Sequence, residues 1–229
     1  MHVSNRYAIY YAPQAGAFAD ATAAWLGWDP ARGQAVAHPN LPDLPKPVAD
    51  LTAIPRKYGF HGTIKPPFHL ATGTDPAGLQ AACRALAARL APVTLPGLQV
   101  VDLHGFVALT PLGDTTALAA LAAEVVIALD RFRAPADAAE IARRRPDSLD
   151  ERQRALLARW GYPYVLDQFQ FHLTLTGSLP EADSAATLQI LRSYLDPLTP
   201  RPFRLADLVL FGQAADGMFR ILHRYPLSG

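Results

Sequence analysis

The chain of 229 residues contains one cysteine, Cys83, which excludes an internal disulfide and any zinc site built from several thiolates. Cys83 lies in the helical run AACRALAARL, where a small buried thiol is the expected role. No helical His-x-x-x-His pair occurs, so the histidines offer no zinc-hydrolase arrangement either. No metal and no cofactor is expected. The sequence also lacks any stretch of roughly 18 uninterrupted apolar residues, the length of a membrane span. Its start, MHVSNRYAIYYAP, has no charged segment followed by a long apolar run, as a secretory leader has. Cytoplasmic residence, with no membrane partner, is the expectation. Charge is sparse and balanced, with 18% of residues charged and a formal net charge of +1. Such a chain has no global field for long nucleic acid, whereas a small anion needs only a local basic patch. Half of the residues are hydrophobic, enough to bury a substantial core in one domain covering residues 1–229.

What the sequence does contain is a tripeptide used twice: His61-Gly62-Thr63 in KYGFHGTIKPPF and His172-Leu173-Thr174 in DQFQFHLTLTG. Both copies sit in short runs of Phe, Ile, Leu and Thr flanked by Gly or Pro, which read as β-strands. Side chains two apart on a strand share a face, so each copy presents an imidazole beside a hydroxyl. In the second copy Phe169, Phe171, Leu173 and Leu175 take one parity and Gln168, Gln170, His172, Thr174 and Thr176 the other. In the first, Phe60 and Ile64 oppose Lys57, His61, Thr63 and Lys65. Histidines, threonines and lysines on one face form a set suited to a phosphate group.

The segments after the two motifs run in the same order, the mark of an internal repeat. A helix near 76–91 and strands near 95–103 and 105–110 follow His61. A helix near 182–196 and strands near 203–211 and 217–225 follow His172. Upstream, residues 6–13 read as a strand. Residues 15–28 read as a helix with Phe18, Ala21, Trp25 and Trp28 at helical spacing. Pro39, Pro42, Pro45, Pro47 and Pro55 make 37–55 an extended loop. A helical pattern covers 115–133 and another 147–161, ending at Gly161. The segment from about 134 to 161 has no partner in the first half and is a candidate for substrate recognition.

RYAIYYAP, YGFHGTIKPPF, ARRRP at 142–146 and RWGYPYVLDQFQFHLTLTG together resemble the two-histidine (2H) phosphoesterase superfamily, and within it a bacterial branch associated with phosphonate metabolism. The resemblance implies an α+β fold of two similar lobes, with antiparallel sheets forming a central cleft and helices on the outer faces. It also implies that His61, Thr63, His172 and Thr174 converge there. One neutral imidazole would take a proton from water while the other, protonated, serves the leaving oxygen. The two threonines would donate hydrogen bonds to the phosphate oxygens. Lys65, Tyr58, Thr176 and the run Arg143, Arg144, Arg145 are candidate substrate contacts, since arginine pairs well with phosphate. Tyr162 and Tyr164 either line the cleft mouth or pack. His69, His104 and His223 lack a threonine companion and read as structural or surface residues.

The expected activity is a metal-independent phosphodiesterase acting on a small cyclic phosphate ester. The branch resemblance implies hydrolysis of 5-phosphoribosyl 1,2-cyclic phosphate to ribose 1,5-bisphosphate. Two alternatives stand beside it. One is an RNA-end-processing enzyme acting on 2′,3′-cyclic phosphates or 2′-5′ linkages, which calls for a basic cleft with stacking aromatics. The other is a catalytically silent nucleotide-binding module.

Overall fold

The computed structural model describes residues 6–229; the first five residues, on which part of the leader reading rests, lie outside it. The chain runs twice through one order. The first pass is β1 (Arg6–Tyr11), α1 (Ala17–Leu26), a connecting segment holding β2 (Trp28–Asp29), β3 (Gln34–Ala35), α2 (Val48–Leu51) and a 3-10 turn (Arg56–Tyr58), then β4 (Gly62–Phe68), α3 (Pro76–Ala87), β5 (Val93–Leu95) and β6 (Leu98–Asp102). The second is β7 (Val107–Pro111), α4 (Thr116–Ala128), a connecting segment holding α5 (Ala138–Arg143) and α6 (Glu151–Trp160), then β8 (Leu173–Thr174), α7 (Glu181–Leu195), β9 (Phe203–Leu205) and β10 (Asp207–Gln213). One further strand, β11 (Phe219–Pro226), follows. The fold is α+β and its strand pairs are antiparallel.

Seven strands form one sheet in the order β11-β10-β1-β4-β8-β7-β6. The motif strands β4 and β8 are its centre, flanked symmetrically by β1 and β7, then by β10 and β6. Each repeat's last long strand thus lies against the other repeat's first. A separate ribbon pairs β5 with β9 through Val93↔Leu205 and Leu95↔Phe203, joining equivalent strands of the two repeats. Two readings of the sequence change here. The two lobes share one continuous sheet. The repeat also starts earlier than the motifs: β7 opens the second copy, and β11 is an addition at the edge. Residues 134–161 therefore do have a counterpart in the first half, the proline-rich connection between α1 and β4. The two connections differ in structure and occupy the same place in the repeat, which an alignment anchored on the motifs alone could not reveal.

The sequence signals explain the helices that matter for the cleft. In α3, Asp75 caps the first turn by accepting from the Gly78 amide at 2.7 Å, and Pro76 supplies the first helical position. Leu79, Cys83, Leu86 and Ala87 repeat at helical spacing and are buried. Cys83 is packed in this core, and burial pushes its thiol up to about 12, which leaves it chemically inert. α6 opens with a capping box between Asp150 and Gln153 and ends at Gly161, whose φ of 73° gives the left-handed cap. Among the described residues no helix is long and apolar enough to cross a membrane.

The connecting segment of the second repeat is fastened to the sheet by Asp130. Its carboxylate accepts from Arg133 Nε at 2.7 Å and Arg159 Nη1 at 2.9 Å, and lies 3.7 Å from Lys65 Nζ. Val126, Leu156 and Val165 pack beneath the same segment as a small apolar cluster, with Trp160 and Tyr162 against it. Replacing Asp130 by Asn removes the charge that neutralises a lysine only 2% exposed, so Asp130→Asn is expected to lose about 3 kcal/mol in urea denaturation.

Candidate active site

The two motif strands meet at one residue pair, Gly62↔Leu173. Continued one step on either side, this antiparallel register sets His61 against Thr174 and Thr63 against His172. The four side chains thus occupy the corners of one square on the face opposite Gly62 and Leu173. Leu173 faces the main core, as does Tyr11, the partner of Gly62 across β1. Gly62 is required for the junction. A Cβ there would come within 2.3 Å of the Phe171 ring, and that ring is confined between Tyr11 and Phe203 at centroid distances of 6.2 and 6.0 Å.

Each imidazole is held in the same way. His61 Nδ1 lies 2.8 Å from the Gly59 carbonyl and His172 Nδ1 2.9 Å from the Gln170 carbonyl, in both cases two residues upstream. A carbonyl oxygen only accepts, so Nδ1 carries the proton and Nε2 is the nitrogen left for chemistry. Their surroundings differ. His61 stacks on Tyr10 at 3.9 Å between centroids, with Tyr58 at 5.8 Å. Below it, Tyr10 belongs to an apolar cluster with Ala8, Val209, Phe211 and Phe219. Burial pushes His61 down to about 4, its hydrogen bond to Gly59 opposes this, and the neighbouring His172 lowers it further. His61 is therefore neutral at physiological pH. His172 lies nearer the rim, edge-on to Phe106 at 5.8 Å.

A cavity of about 490 Å³ opens from the Thr63–His172 side of this square, and His61 and Thr174 lie behind its lining. Thr63, His172, Gln168, Gln170 and Gln153 supply its polar lining, and Phe106, Tyr162, Tyr164 and Phe169 its aromatic walls. The volume lies within the usual range of roughly 300–1,000 Å³ for small-molecule sites. His104 also lines the cavity, although its lack of a threonine companion marks it as peripheral in the sequence. Tyr10 carried no sequence signal of its own, but the alternation of Arg6, Ala8 and Tyr10 on β1 gives the face on which it lies.

Two expected contacts are withdrawn from the cleft, for one reason. Between Thr63 and Lys65 the register against β1 slips, Thr63 pairing with Tyr10 and Lys65 with Ile9. Two residues of β4 answer one of β1, a bulge that carries Lys65 to the core face. There Nζ donates to the Val126 carbonyl at 3.2 Å and pairs with Asp130; burial brings the ammonium down to about 8. The equivalent residue of the second repeat is Thr176. The amides of Leu175 and Thr176 both donate to the Val107 carbonyl, the mark of a matching bulge. Thr176 is buried, its hydroxyl accepting from the Val107 amide at 2.9 Å and donating to the Gly177 carbonyl at 2.8 Å. Of the arginine run, Arg143 is exposed beside Glu140 at 3.9 Å and Arg145 is exposed. Arg144 turns inward, its guanidinium 4.6 Å from the centre of the Tyr162 ring.

Two measurements test this geometry. Gly62→Ala is expected to cost about 1–3 kcal/mol in thermal or urea unfolding, the usual effect of overpacking. Because folded His61 binds its proton less tightly than the unfolded side chain, the folded state carries fewer protons between about pH 4 and 6.5, and stability falls as pH drops through that window. NMR titration is expected to find one histidine neutral at pH 5.5 and shifting near pH 4. His61→Gln is expected to remove that signal and flatten the stability profile over the same range.

Comparison with known proteins gives the chain relatives. It is 40% identical over 182 residues to a Janthinobacterium sp. (strain Marseille) protein named ribose 1,5-bisphosphate phosphokinase PhnN, covering 79% of this chain and 40% of that protein. It is 36% identical over 213 residues to a Laribacter hongkongensis (strain HLHK9) protein of the same name, covering 93% of this chain and 49% of that one. The chain thus spans less than half the length of these curated relatives. A crystal structure of E. coli LigT complexed with NADP+ aligns over 99% of both chains at 17% identity with a TM-score of 0.43. The family model described as "Protein of unknown function (DUF1045)" matches residues 63–220, from Thr63 of the first motif through the whole of the second, and the chain belongs to that family.

Proposed function

We propose that the protein is a phosphodiesterase that opens a small cyclic phosphate ester. The observation that carries this reading is the crossed register of the two motifs, His61 beside Thr174 and His172 beside Thr63, with each imidazole fixed by its own i−2 carbonyl. His61, neutral and desolvated, is the base: its Nε2 takes a proton from the attacking water as the water oxygen bonds to phosphorus. The acid is His172, whose Nε2 gives its proton to the leaving oxygen as the P–O bond breaks. The product is a phosphomonoester, and the proton balance of the two imidazoles is restored by exchange with solvent. The Thr63 and Thr174 hydroxyls donate to the non-bridging oxygens, where charge gathers in the transition state. A phosphate anion beside His61 favours its protonated form and so offsets the burial that holds it neutral in the free protein.

The finer assignment is 5-phosphoribosyl 1,2-cyclic phosphate as substrate and ribose 1,5-bisphosphate as product. Two relatives carry a name that specifies a kinase of ribose 1,5-bisphosphate, and each is more than twice as long as the segment it shares with this chain. A domain that makes that bisphosphate is a natural companion for a kinase that consumes it. The aromatic walls, Phe106, Tyr162, Tyr164 and Phe169, favour a second reading, a 2′,3′-cyclic nucleotide whose base stacks in the cavity.

Phosphorus NMR of the purified protein with cyclic ribose phosphates and 2′,3′-cyclic nucleotides decides between these readings. Ring opening of the ribose ester in preference to the nucleotides is expected; the reverse preference establishes the second reading, and no turnover of any cyclic ester refutes both. His61→Ala and His172→Ala are each expected to slow turnover on the order of 10²–10⁴-fold, and Thr63→Ala or Thr174→Ala on the order of 10²-fold. Activity is expected to survive EDTA; abolition by chelator with recovery on adding zinc or manganese would overturn the metal-independent mechanism.

A further inference from the structure

With Lys65 buried against Asp130, the cation expected next to the motifs is absent from the cleft, yet two guanidiniums approach it from outside the motif strands. Arg6 lies on β1, and the β1–β10 register places Arg6, Ala8 and Tyr10 opposite Gln213, Phe211 and Val209. These three alternate positions share the face on which Tyr10 stacks against His61. Arg6 Nη2 reaches only the Pro67 carbonyl, at 3.5 Å, the outer limit of a hydrogen bond. Its Nε is buried and has no partner, and no carboxylate lies within ion-pair distance of it among the described residues. A buried guanidinium nitrogen without an acceptor is costly to maintain, and an anion would satisfy it.

Arg144 comes from the connecting segment of the second repeat. It is half-buried, lies over Tyr162, and also forms no ion pair among the described residues. It lines a small side pocket with Pro67 and Gly161, next in the chain to Pro66 and Tyr162 of the main cavity. The nearby Glu140 carboxylate is directed to Arg143 and His69, at 3.9 Å from each. Burial raises the Tyr10 hydroxyl well above its ordinary value and Tyr58 adds to this, while the Arg6 and Arg144 charges oppose it. Both guanidiniums are thus near enough to influence one phenol, the ring that stacks on His61.

We propose that Arg6 and Arg144 form an anion subsite around Pro67, beside the main cavity, that binds a second, non-reacting phosphate of the substrate, while the histidines and threonines act on the first. This inference rests on the phosphodiesterase reading and deepens it: the preferred substrate is a cyclic phosphate ester with a phosphomonoester elsewhere on the same small molecule. Arginine suits that role because its planar fork meets phosphate through two hydrogen bonds. The asymmetry of the site has a simple origin, since Arg6 and Arg144 occupy unrelated positions of the two repeats.

Calorimetric titration of the wild-type protein with ribose 5-phosphate, and with ribose as control, tests the subsite without requiring turnover. Wild type is expected to bind ribose 5-phosphate far more tightly than ribose. Arg6→Gln and Arg144→Gln are each expected to weaken binding on the order of 10-fold or more, the scale of a lost charge-assisted hydrogen bond, with Arg143→Gln close to wild type. Arg6→Lys and Arg144→Lys, intermediate in affinity, replace any Gln variant whose melting temperature shows it to be unfolded. Gln variants that bind as wild type does, an equal loss in Arg143→Gln, or no preference for ribose 5-phosphate over ribose would each overturn the subsite. The two proposals fail separately. Cyclic esters opened with the same KM with and without a distal phosphate would remove the subsite and leave the phosphodiesterase. Arginine-dependent binding of ribose 5-phosphate without turnover of any cyclic ester would do the opposite.

Discussion

The geometry of the site depends on how narrowly the two repeats touch. β4 and β8 meet through the single pair Gly62↔Leu173, and a slip of one residue would put one motif's two side chains on the opposite face from the other's. One pair is too little to fix a register alone. It is fixed from outside, by β1 along β4 and by Ala108↔Thr174 and Leu109↔Leu173 between β7 and β8. The β5–β9 ribbon ties the equivalent strands of the two repeats together elsewhere. Phe171, packed over the missing side chain of Gly62, closes the junction from the core side. The cleft is thus a seam between two well-supported half-sheets, and its narrowness brings imidazole and hydroxyl of opposite repeats together.

Symmetry supplies two equivalent imidazoles, whereas acid–base catalysis needs two different ones. The local fixing is symmetric, since both rings donate Nδ1–H to the carbonyl two residues upstream. The difference enters through what lies underneath. His61 rests on Tyr10 and the aromatic cluster of β10 and β11, and β11 is the strand without a counterpart in the first repeat. His172 has Phe106 at its edge and the open cavity beside it. The rings of Tyr10, Tyr58 and Phe211 around His61, the first two packed on Phe219 of β11, therefore bury a residue that its own strand holds as the other strand holds His172.

Much of this was legible from local pattern. The two strands, the shared face of His and Thr, the helices after each motif, the Gly161 cap and the inert Cys83 all follow from spacing and from turn chemistry. The phase of the repeat was not legible, because β1 and β7 share no sequence mark and only the sheet order pairs them. Nor were the bulges. Strict alternation puts Lys65 beside Thr63 and Thr176 beside Thr174, and nothing in IKPPF or LTLTG announces the extra residue that turns both away. Arg6 and Tyr10 were missed for a different reason: their importance comes from β1 lying next to β4, a long-range pairing that no window of sequence contains.

The paired bulges have a chemical consequence. In the proposed mechanism, a lysine on the cleft face two residues from Thr63 would stand beside His61, oppose its protonation, and compete with the threonines for the reacting phosphate. Turned into the core, the same lysine meets Asp130, which also holds Arg133 and Arg159 and so anchors the wall that carries Tyr162 and Arg144. The first repeat's surplus cation thus positions the cleft wall, and the centre of the cleft is left to the imidazoles and hydroxyls of the two motifs. In the proposed subsite positive charge sits at the periphery, on Arg6 and Arg144, where it would select among phosphorylated ligands away from the proposed proton transfer.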